Sequence, residues 1–310
     1  MKLVFFGSDA FSIKALEACL HSPGIDLALT VTTPAQKKGR GLKLEPSEVS
    51  GYCLSRNLPV VEYSTLKDPK VVQDLMTLRP DIFVVASYGK LIPNCLLDIP
   101  RFRLNVHPSL LPKYRGSAPI NWPILNGDQE TGVTIIDVAE KLDAGDIYYQ
   151  EKFPITPRAN AETLTSELAG LSYGILKKVL AEVQSGQLQR IPQEEKAATH
   201  APRLSKKDGE LSFRNMNAEQ IDRKVRGLQP WPGTFCFLKN ERLAILETEL
   251  HELSTEKKPG TIVALEKDNG IVVATRAGLL GILRIKPEGK KEMTAMDFAN
   301  GRRLKTGDMF

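Results

Sequence analysis

Met1-Lys2-Leu3-Val4-Phe5-Phe6-Gly7 sets four apolar residues in an unbroken row, closed by a glycine. A strand with one wet face alternates polar and apolar residues. An unbroken run marks a strand covered on both faces, as in the middle of a parallel sheet. Working outward, residues 12–20 carry Ile13, Leu16 and Leu20 at helical spacing. Residues 27–33 read as a second strand, 69–78 as a helix and 81–86 as another buried strand. Residues 103–106, 132–138 and 147–153 read as further strands, and 161–184 as a long helix. Alternation of this kind predicts an α/β fold, a Rossmann-like doubly wound and mostly parallel sheet. Such sheets take ligands beyond the carboxyl ends of their strands. A strand pattern that starts at residue 2 leaves no room for a signal or transit peptide.

The rhythm changes after residue 188. Two prolines and little periodicity mark residues 190–205 as a linker between a first domain, 1–189, and a second, 206–310. In the second domain a short helix over 218–226 precedes five short β-like runs, at 234–238, 243–250, 260–265, 270–275 and 281–285. Glycine and proline punctuate them, which predicts a small OB-like β-barrel. Trp231, between Pro230 and Pro232, reads as a buried anchor for that barrel; a surface stacking platform is the alternative.

Composition narrows the function classes. Of the 310 residues 42% are hydrophobic and 25% charged, ordinary for a soluble globular protein. No apolar run approaches the roughly 20 residues of a membrane span, so no membrane association is expected. Cys19, Cys53, Cys95 and Cys236 form no C-x-x-C pair, and His21, His200 and His251 have no metal-ligand spacing. Free thiols, a reducing cytoplasmic setting and no metal are expected. Nothing resembles an assembly element, so a monomer is expected. Gly7-Ser8-Asp9-Ala10-Phe11 lacks G-x-G-x-x-G, which disfavours a dinucleotide-dependent dehydrogenase. The net charge of +5 is uneven. Lys plus Arg equals Asp plus Glu over 1–202, whereas 203–310 holds 20 basic and 15 acidic residues. A basic last third suits a polyanionic partner.

Two loops carry candidate chemistry. In Leu104-Asn105-Val106-His107-Pro108, Asn105 and His107 lie two apart at a strand end, so their side chains leave one face. An amide and an imidazole projecting together can hold a carbonyl oxygen as it becomes an oxyanion. In Leu142-Asp143-Ala144-Gly145, a carboxylate in a turn can fold back toward His107, fix its tautomer and help move protons.

Asn105-x-His107 followed by Ser109-Leu110-Leu111-Pro112, and then Leu142-Asp143-x-Gly145, resembles the folate-dependent formyltransferase family. Three stretches are similar to the branch that acts on aminoacyl-tRNA: Gly39-Arg40-Gly41-Leu42-Lys43-Leu44-x-Pro46-Ser47, Arg226-Gly227-Leu228-Gln229-Pro230-Trp231-Pro232-Gly233, and Gly301-Arg302-Arg303-Leu304-Lys305-Thr306-Gly307-Asp308. The resemblance spans both domains. It implies transfer of a formyl group from 10-formyltetrahydrofolate to the α-amino group of initiator methionyl-tRNA, without a metal. It implies Asn105, His107 and Asp143 as the catalytic trio. The folate site is implied at Ser109, Leu110, Leu111 and Pro112 and at Val85, Ser87, Tyr88 and Gly89. Arg40 matches a tRNA-contacting arginine; Lys37, Lys38 and Lys43 add charge beside it, and Arg302 and Arg303 fall in the last similar stretch. The basic loop over 37–43 is expected to order only on tRNA. Where the family has Asp before Gly-Leu-Asp-Thr-Gly, this chain has Ala139-Glu140-Lys141-Leu142-Asp143-Ala144-Gly145. Two other functions stay open on residues alone: formyl transfer to a small amine such as a nucleotide-sugar amine, and non-catalytic RNA binding.

Overall fold

The structure is a computed structural model that describes residues 1–38, 43–239, 241–251, 255–268 and 270–310. The chain forms two compact units. Unit 1 holds residues 1–119, 130–154 and 164–202; unit 2 holds 120–129, 155–163 and 203–310.

Unit 1 begins with β1 (Lys2–Gly7), α1 (Ala10–Leu20) and β2 (Asp26–Thr32), followed by the short β3 (Gln36–Lys38) and β4 (Lys43–Glu45). Next come α2 (Glu48–Ser55), β5 (Val60–Glu62), α3 (Pro69–Leu78), β6 (Ile82–Ala86), α4 (Asn94–Leu97), β7 (Phe102–His107) and β8 (Arg115–Gly116). After α5 (Asn121–Asn126), which belongs to unit 2, the chain adds β9 (Glu130–Asp137), β10 (Ile147–Pro154), α6 (Ala161–Ser185) and β11 (His200–Ala201).

Seven strands make one sheet in the order β10-β9-β7-β6-β1-β2-β5. β1 pairs in parallel with both β2 and β6, and so sits in the interior. That position explains its apolar run: Leu3, Val4, Phe5 and Phe6 are all fully buried. β9 and β10 close one side as antiparallel strands. The chain winds outward from β1 to β2 and β5, then returns to β6 and β7 on the other side. The crevice between β1 and β6 is therefore the switch point, where the connecting segments part and leave the strand ends open. α1 is fixed there by a capping box, with Asp9 accepting from the Ser12 backbone N–H at 3.1 Å.

The expected basic loop differs from the reading at both of its ends. β3 and β4 pair antiparallel, Lys37 opposite Leu44 and Lys38 opposite Lys43. Backbone pairing gives these residues a ladder that composition does not reveal. Arg40 lies outside the described residues.

The expected linker is also different. Residues 190–202 belong to unit 1. Ile191 and Ile147 exchange backbone hydrogen bonds, and β11 pairs in parallel with β8. The stretch is non-periodic because side-chain hydrogen bonds hold it rather than a buried face. The boundary falls after Pro202, and unit 2 takes in two earlier segments that no composition shift marks.

Unit 2 contains α7 (Ala218–Gly227), β12 (Thr234–Leu238), β13 (Glu241–His251), β14 (Ile262–Glu266), β15 (Gly270–Ala274), β16 (Leu279–Pro287), β17 (Met293–Thr294) and α8 (Ala295–Arg302). The five longer strands form an antiparallel ladder in the order β12-β13-β16-β15-β14, and β17 joins β16. Ile245, Ile262, Ile271, Val273, Leu280 and Ile282 turn inward against Ile221, Val225 and Phe298 of the two helices. Asn217 and Gln220 form a capping box at α7. Trp231 departs from expectation: it is 52% exposed. The Gly233 N–H bonds the Leu228 carbonyl at 2.8 Å, closing a tight loop that puts residues 230–232 at its outer tip.

Candidate active site

Beyond the carboxyl ends of β1, β6 and β7 opens a cavity of about 830 Å³, lined only by residues of unit 1. That is within the range of small-molecule sites, about 300–1,000 Å³. Asn105 and His107 reach it together from the end of β7, as their spacing predicts. Asp143 comes from the loop between β9 and β10 and meets both. The Asn105 Nδ2 donates to Asp143 Oδ1 at 3.2 Å, and His107 Nδ1 stands 3.6 Å from the same oxygen. Asp143 Oδ2 accepts from the Gly116 backbone N–H at 2.8 Å. The His107 and Asp143 side chains are only 5% and 7% exposed, so their mutual attraction is little screened by water.

The other imidazole nitrogen is committed. His107 Nε2 lies 3.0 Å from the Tyr114 carbonyl oxygen, which can only accept. Nε2 therefore carries its hydrogen, and Nδ1, on the Asp143 side, is where a proton is taken up or released. Asp143 itself has a φ of 52°, in the left-handed region where non-glycine residues are strained. Such a conformation persists only where surrounding contacts over-determine it.

Close backbone approaches build the two loops. At Gly116 φ is +127°, and a Cβ would lie 2.6 Å from the Ala201 carbonyl oxygen. At Gly145 a Cβ would lie 1.8 Å from the Asp137 carbonyl oxygen. That glycine lets the Asp137 N–H bond the Asp146 carbonyl at 2.9 Å, pinching the base of the Asp143 loop. The departure at Ala139-Glu140-Lys141 leaves Ala139 and Glu140 on the cavity wall.

Val85, Ser87, Tyr88 and Gly89 line the cavity at the end of β6. Ser87 and Gly89 both have positive φ, 44° and 77°. The Tyr88 ring packs edge-on against Phe6, and burial pushes its hydroxyl pKa up to about 12, with Tyr63 adding to the rise. Ser109, Leu110, Leu111 and Pro112 are not brought to the wall. Ser109 is buried and its hydroxyl donates to the Lys113 carbonyl at 2.7 Å, while the Leu111 N–H and carbonyl bond Thr134 and Gln150. Their polar groups brace the turn into β8.

The sequence reading missed Asp9, Lys67, Asn94 and Ser117 on the wall. Asp9 carried a signal, as a polar residue just past the carboxyl end of a central strand. It is exposed at the cavity, with the wall close around its carboxylate. Desolvation raises its pKa above the ordinary range against hydrogen bonds from Ser12, and the charge of Glu48 adds to the rise. Lys43 is exposed on β4. Arg302 already pairs with Glu241 and lies over the Phe298 ring, and Arg303 is the left-handed cap of α8.

Residues 1–180 match the family described as formyl transferase, and residues 203–303 match the formyl transferase C-terminal domain. The chain belongs to the formyl transferase family. Among its relatives, the methionyl-tRNA formyltransferase of Thermodesulfovibrio yellowstonii is 39% identical over 98% of this chain and 97% of its own. That of Dictyoglomus turgidum is 40% identical over 100% and 99%. Two solved structures share the fold. HypX from Aquifex aeolicus in complex with tetrahydrofolic acid superposes with a TM-score of 0.63 at 16% identity, over 99% of this chain and 48% of that one. The chain thus spans about half the length of HypX. The N-formyltransferase of Helicobacter canadensis, in complex with folinic acid and dTDP-3-aminofucose, gives 0.63 at 16% identity over 91% and 99%.

Proposed function

We propose that this chain transfers the formyl group of 10-formyltetrahydrofolate to the α-amino group of initiator methionyl-tRNA, giving N-formylmethionyl-tRNA, and acts as a cytoplasmic monomer. The observation that carries formyl transfer is the convergence of Asn105 Nδ2 and His107 Nδ1 on one oxygen of Asp143 at the wall of a ligand-sized cavity. The choice of acceptor draws on relatives bearing that name at about 40% identity over the full length of both chains. A basic last third also has no use in an enzyme for a small amine.

The formyl donor supplies an activated carbonyl carbon, and the chain's own groups do the rest. Asn105 has a second amide hydrogen beyond the one given to Asp143, and donates it to the carbonyl oxygen as negative charge develops there. His107, protonated at Nδ1, gives a second hydrogen bond. Asp143 stabilises the imidazolium and accepts a proton from the attacking amine, directly or through water. The amine nitrogen would add to the carbonyl carbon first, placing the charge on its oxygen; collapse would then break the carbon–N10 bond, with N10 receiving, through this cluster, the proton that the amine gave up. The strand-end backbone of residues 85–89 reads the pterin ring. In the acceptor site, Arg40 with Lys37, Lys38 and Lys43 contacts the tRNA end, while residues 206–310, with Arg302 and Arg303, hold its phosphates. Arg302 would have to leave its partner Glu241 to take a phosphate.

The test is a formylation assay with purified protein, 10-formyltetrahydrofolate and either charged initiator tRNA or a nucleotide-sugar amine. Turnover with the tRNA alone is expected. Turnover only with the small amine, or none with either, overturns the proposal.

A further inference from the structure

Gln193, in the stretch that reads as a linker, makes four hydrogen bonds with its carboxamide. Nε2 donates to the backbone carbonyl of Asp143 at 2.8 Å and to that of Gly145 at 2.7 Å. Oε1 accepts from Arg115 Nε at 3.1 Å and Nη2 at 2.8 Å. A carboxamide has two donor hydrogens and two acceptor lone pairs, so this one is saturated. The partners lie on the two loops that build the site. One carries Asp143. The other carries Tyr114, whose carbonyl holds His107 Nε2, and Gly116, whose N–H holds Asp143 Oδ2.

Arg115 is 2% exposed, a buried cation that requires partners. Its Nη1 is held by Glu195 at 3.0 Å, and Glu195 also takes Lys141 of the Asp143 loop at 2.9 Å. Those two cations, Lys141 first, keep the Glu195 carboxyl below its usual range. The Tyr114 N–H donates to Thr199 Oγ1 at 2.9 Å, and the Arg115 N–H to the Thr199 carbonyl at 2.9 Å. Residues 193–201 thus strap the two loops together: Glu195 bonds both through the Arg115 and Lys141 side chains, and Gln193 bonds both while holding the backbone carbonyls of the Asp143 turn itself. Asp143 stands at a φ of 52°. A backbone strained by about 1–3 kcal/mol needs fixed partners, and the two carbonyls that Gln193 holds flank that strained turn.

Resting on the proposed formyl transfer, we infer that Gln193 is a positioning residue: it holds the Asp143 turn against the loop of Tyr114 and Gly116, and so sets where the Asp143 carboxylate stands beside His107 and Asn105. Misplacing a catalytic group by about 1 Å can cost on the order of 100-fold in rate. Gln193 does not line the cavity.

The experiment is a double-mutant cycle on the full chain. Gln193→Glu keeps an acceptor for Arg115, and with a charge, but replaces the donor to the two carbonyls by an oxygen. Gln193→Ala removes both functions. Both are expected to lower kcat about 10- to 100-fold, with KM for folate and for tRNA within threefold of wild type. Gln193→Glu is expected to stay folded, with a thermal midpoint below wild type because two carbonyls lose their donor. In an Asp143→Ala background, Gln193→Glu is expected to change the residual rate less than twofold, because the group it positions is gone. Wild-type kcat in Gln193→Glu overturns the inference. So does the same fold-loss in the Asp143→Ala background, which marks a structural role only. If Gln193→Ala does not fold, the Glu variant and its cycle decide alone. An inactive wild-type chain would instead count against the proposed reaction.

Discussion

Asp143→Asn separates charge from shape at the centre of the site. Asp143 has three neighbours: the Gly116 N–H at 2.8 Å, Asn105 Nδ2 at 3.2 Å and His107 Nδ1 at 3.6 Å. An asparagine keeps the volume but offers one acceptor oxygen. If that oxygen stays on the Gly116 N–H, the new NH₂ faces the amide of Asn105 and the ring of His107. The amide–amide contact then sets donor against donor, and the imidazolium loses its counter-charge. At 3.6 Å and an effective dielectric of about 20, the lost attraction is about 4–5 kcal/mol. Relaxation and water entry recover part of it, leaving about 3–4 kcal/mol, or roughly 100- to 1,000-fold in kcat. Global stability should fall by less than about 2 kcal/mol, since the strongest hydrogen bond of the group survives. The measurement is single-turnover formyl transfer at saturating folate and charged tRNA, alongside a urea unfolding curve. A folded Asn variant with kcat within tenfold of wild type would refute the reasoning.

Three further outcomes are expected. Gly145→Ala forces a Cβ to within 1.8 Å of the Asp137 carbonyl oxygen, so the Asp143 loop must move; urea unfolding should show a loss of about 1–3 kcal/mol, and the folded fraction should lose most of its activity. Arg40→Ala should lower kcat/KM for charged tRNA while leaving folate binding unchanged, with Arg40→Lys recovering only part, because a guanidinium pairs phosphates in a way that an ammonium cannot; the logarithm of the wild type's tRNA affinity should fall linearly with the logarithm of salt concentration. Of the four thiols only Cys95 is exposed, while burial raises the pKa values of Cys19, Cys53 and Cys236, the last to about 12. A thiol reagent at pH 8 should therefore label one cysteine quickly in the native chain and four in denaturant, as counted by mass spectrometry.

Much of this protein is written locally. The apolar row from Leu3 to Phe6 announces an interior strand, because a strand flanked on both sides and covered on both faces has no wet position to mark. The two-residue spacing of Asn105 and His107 puts both in the cavity, because pleating sends alternate side chains to one face. The turn around Asp143 offered a carboxylate and motif resemblance strengthened it, but no local period could show its meeting with them: it lies 38 residues beyond Asn105 and reaches it because β9 pairs with β7. Other features were decided by the tertiary structure alone. Ser109, Leu110, Leu111 and Pro112 sit beside the motif in sequence yet brace the turn behind it, since their polar groups are spent on Lys113, Thr134 and Gln150. Trp231 stands outward at the tip of a closed loop. Residues 190–202, which read as a linker, form a strap because Gln193, Glu195 and Thr199 bond groups roughly 50 to 85 residues away. Periodicity records which way a side chain points from its own strand or helix. Convergence depends on strand order and on single side-chain hydrogen bonds between distant loops, and these leave no period in the sequence.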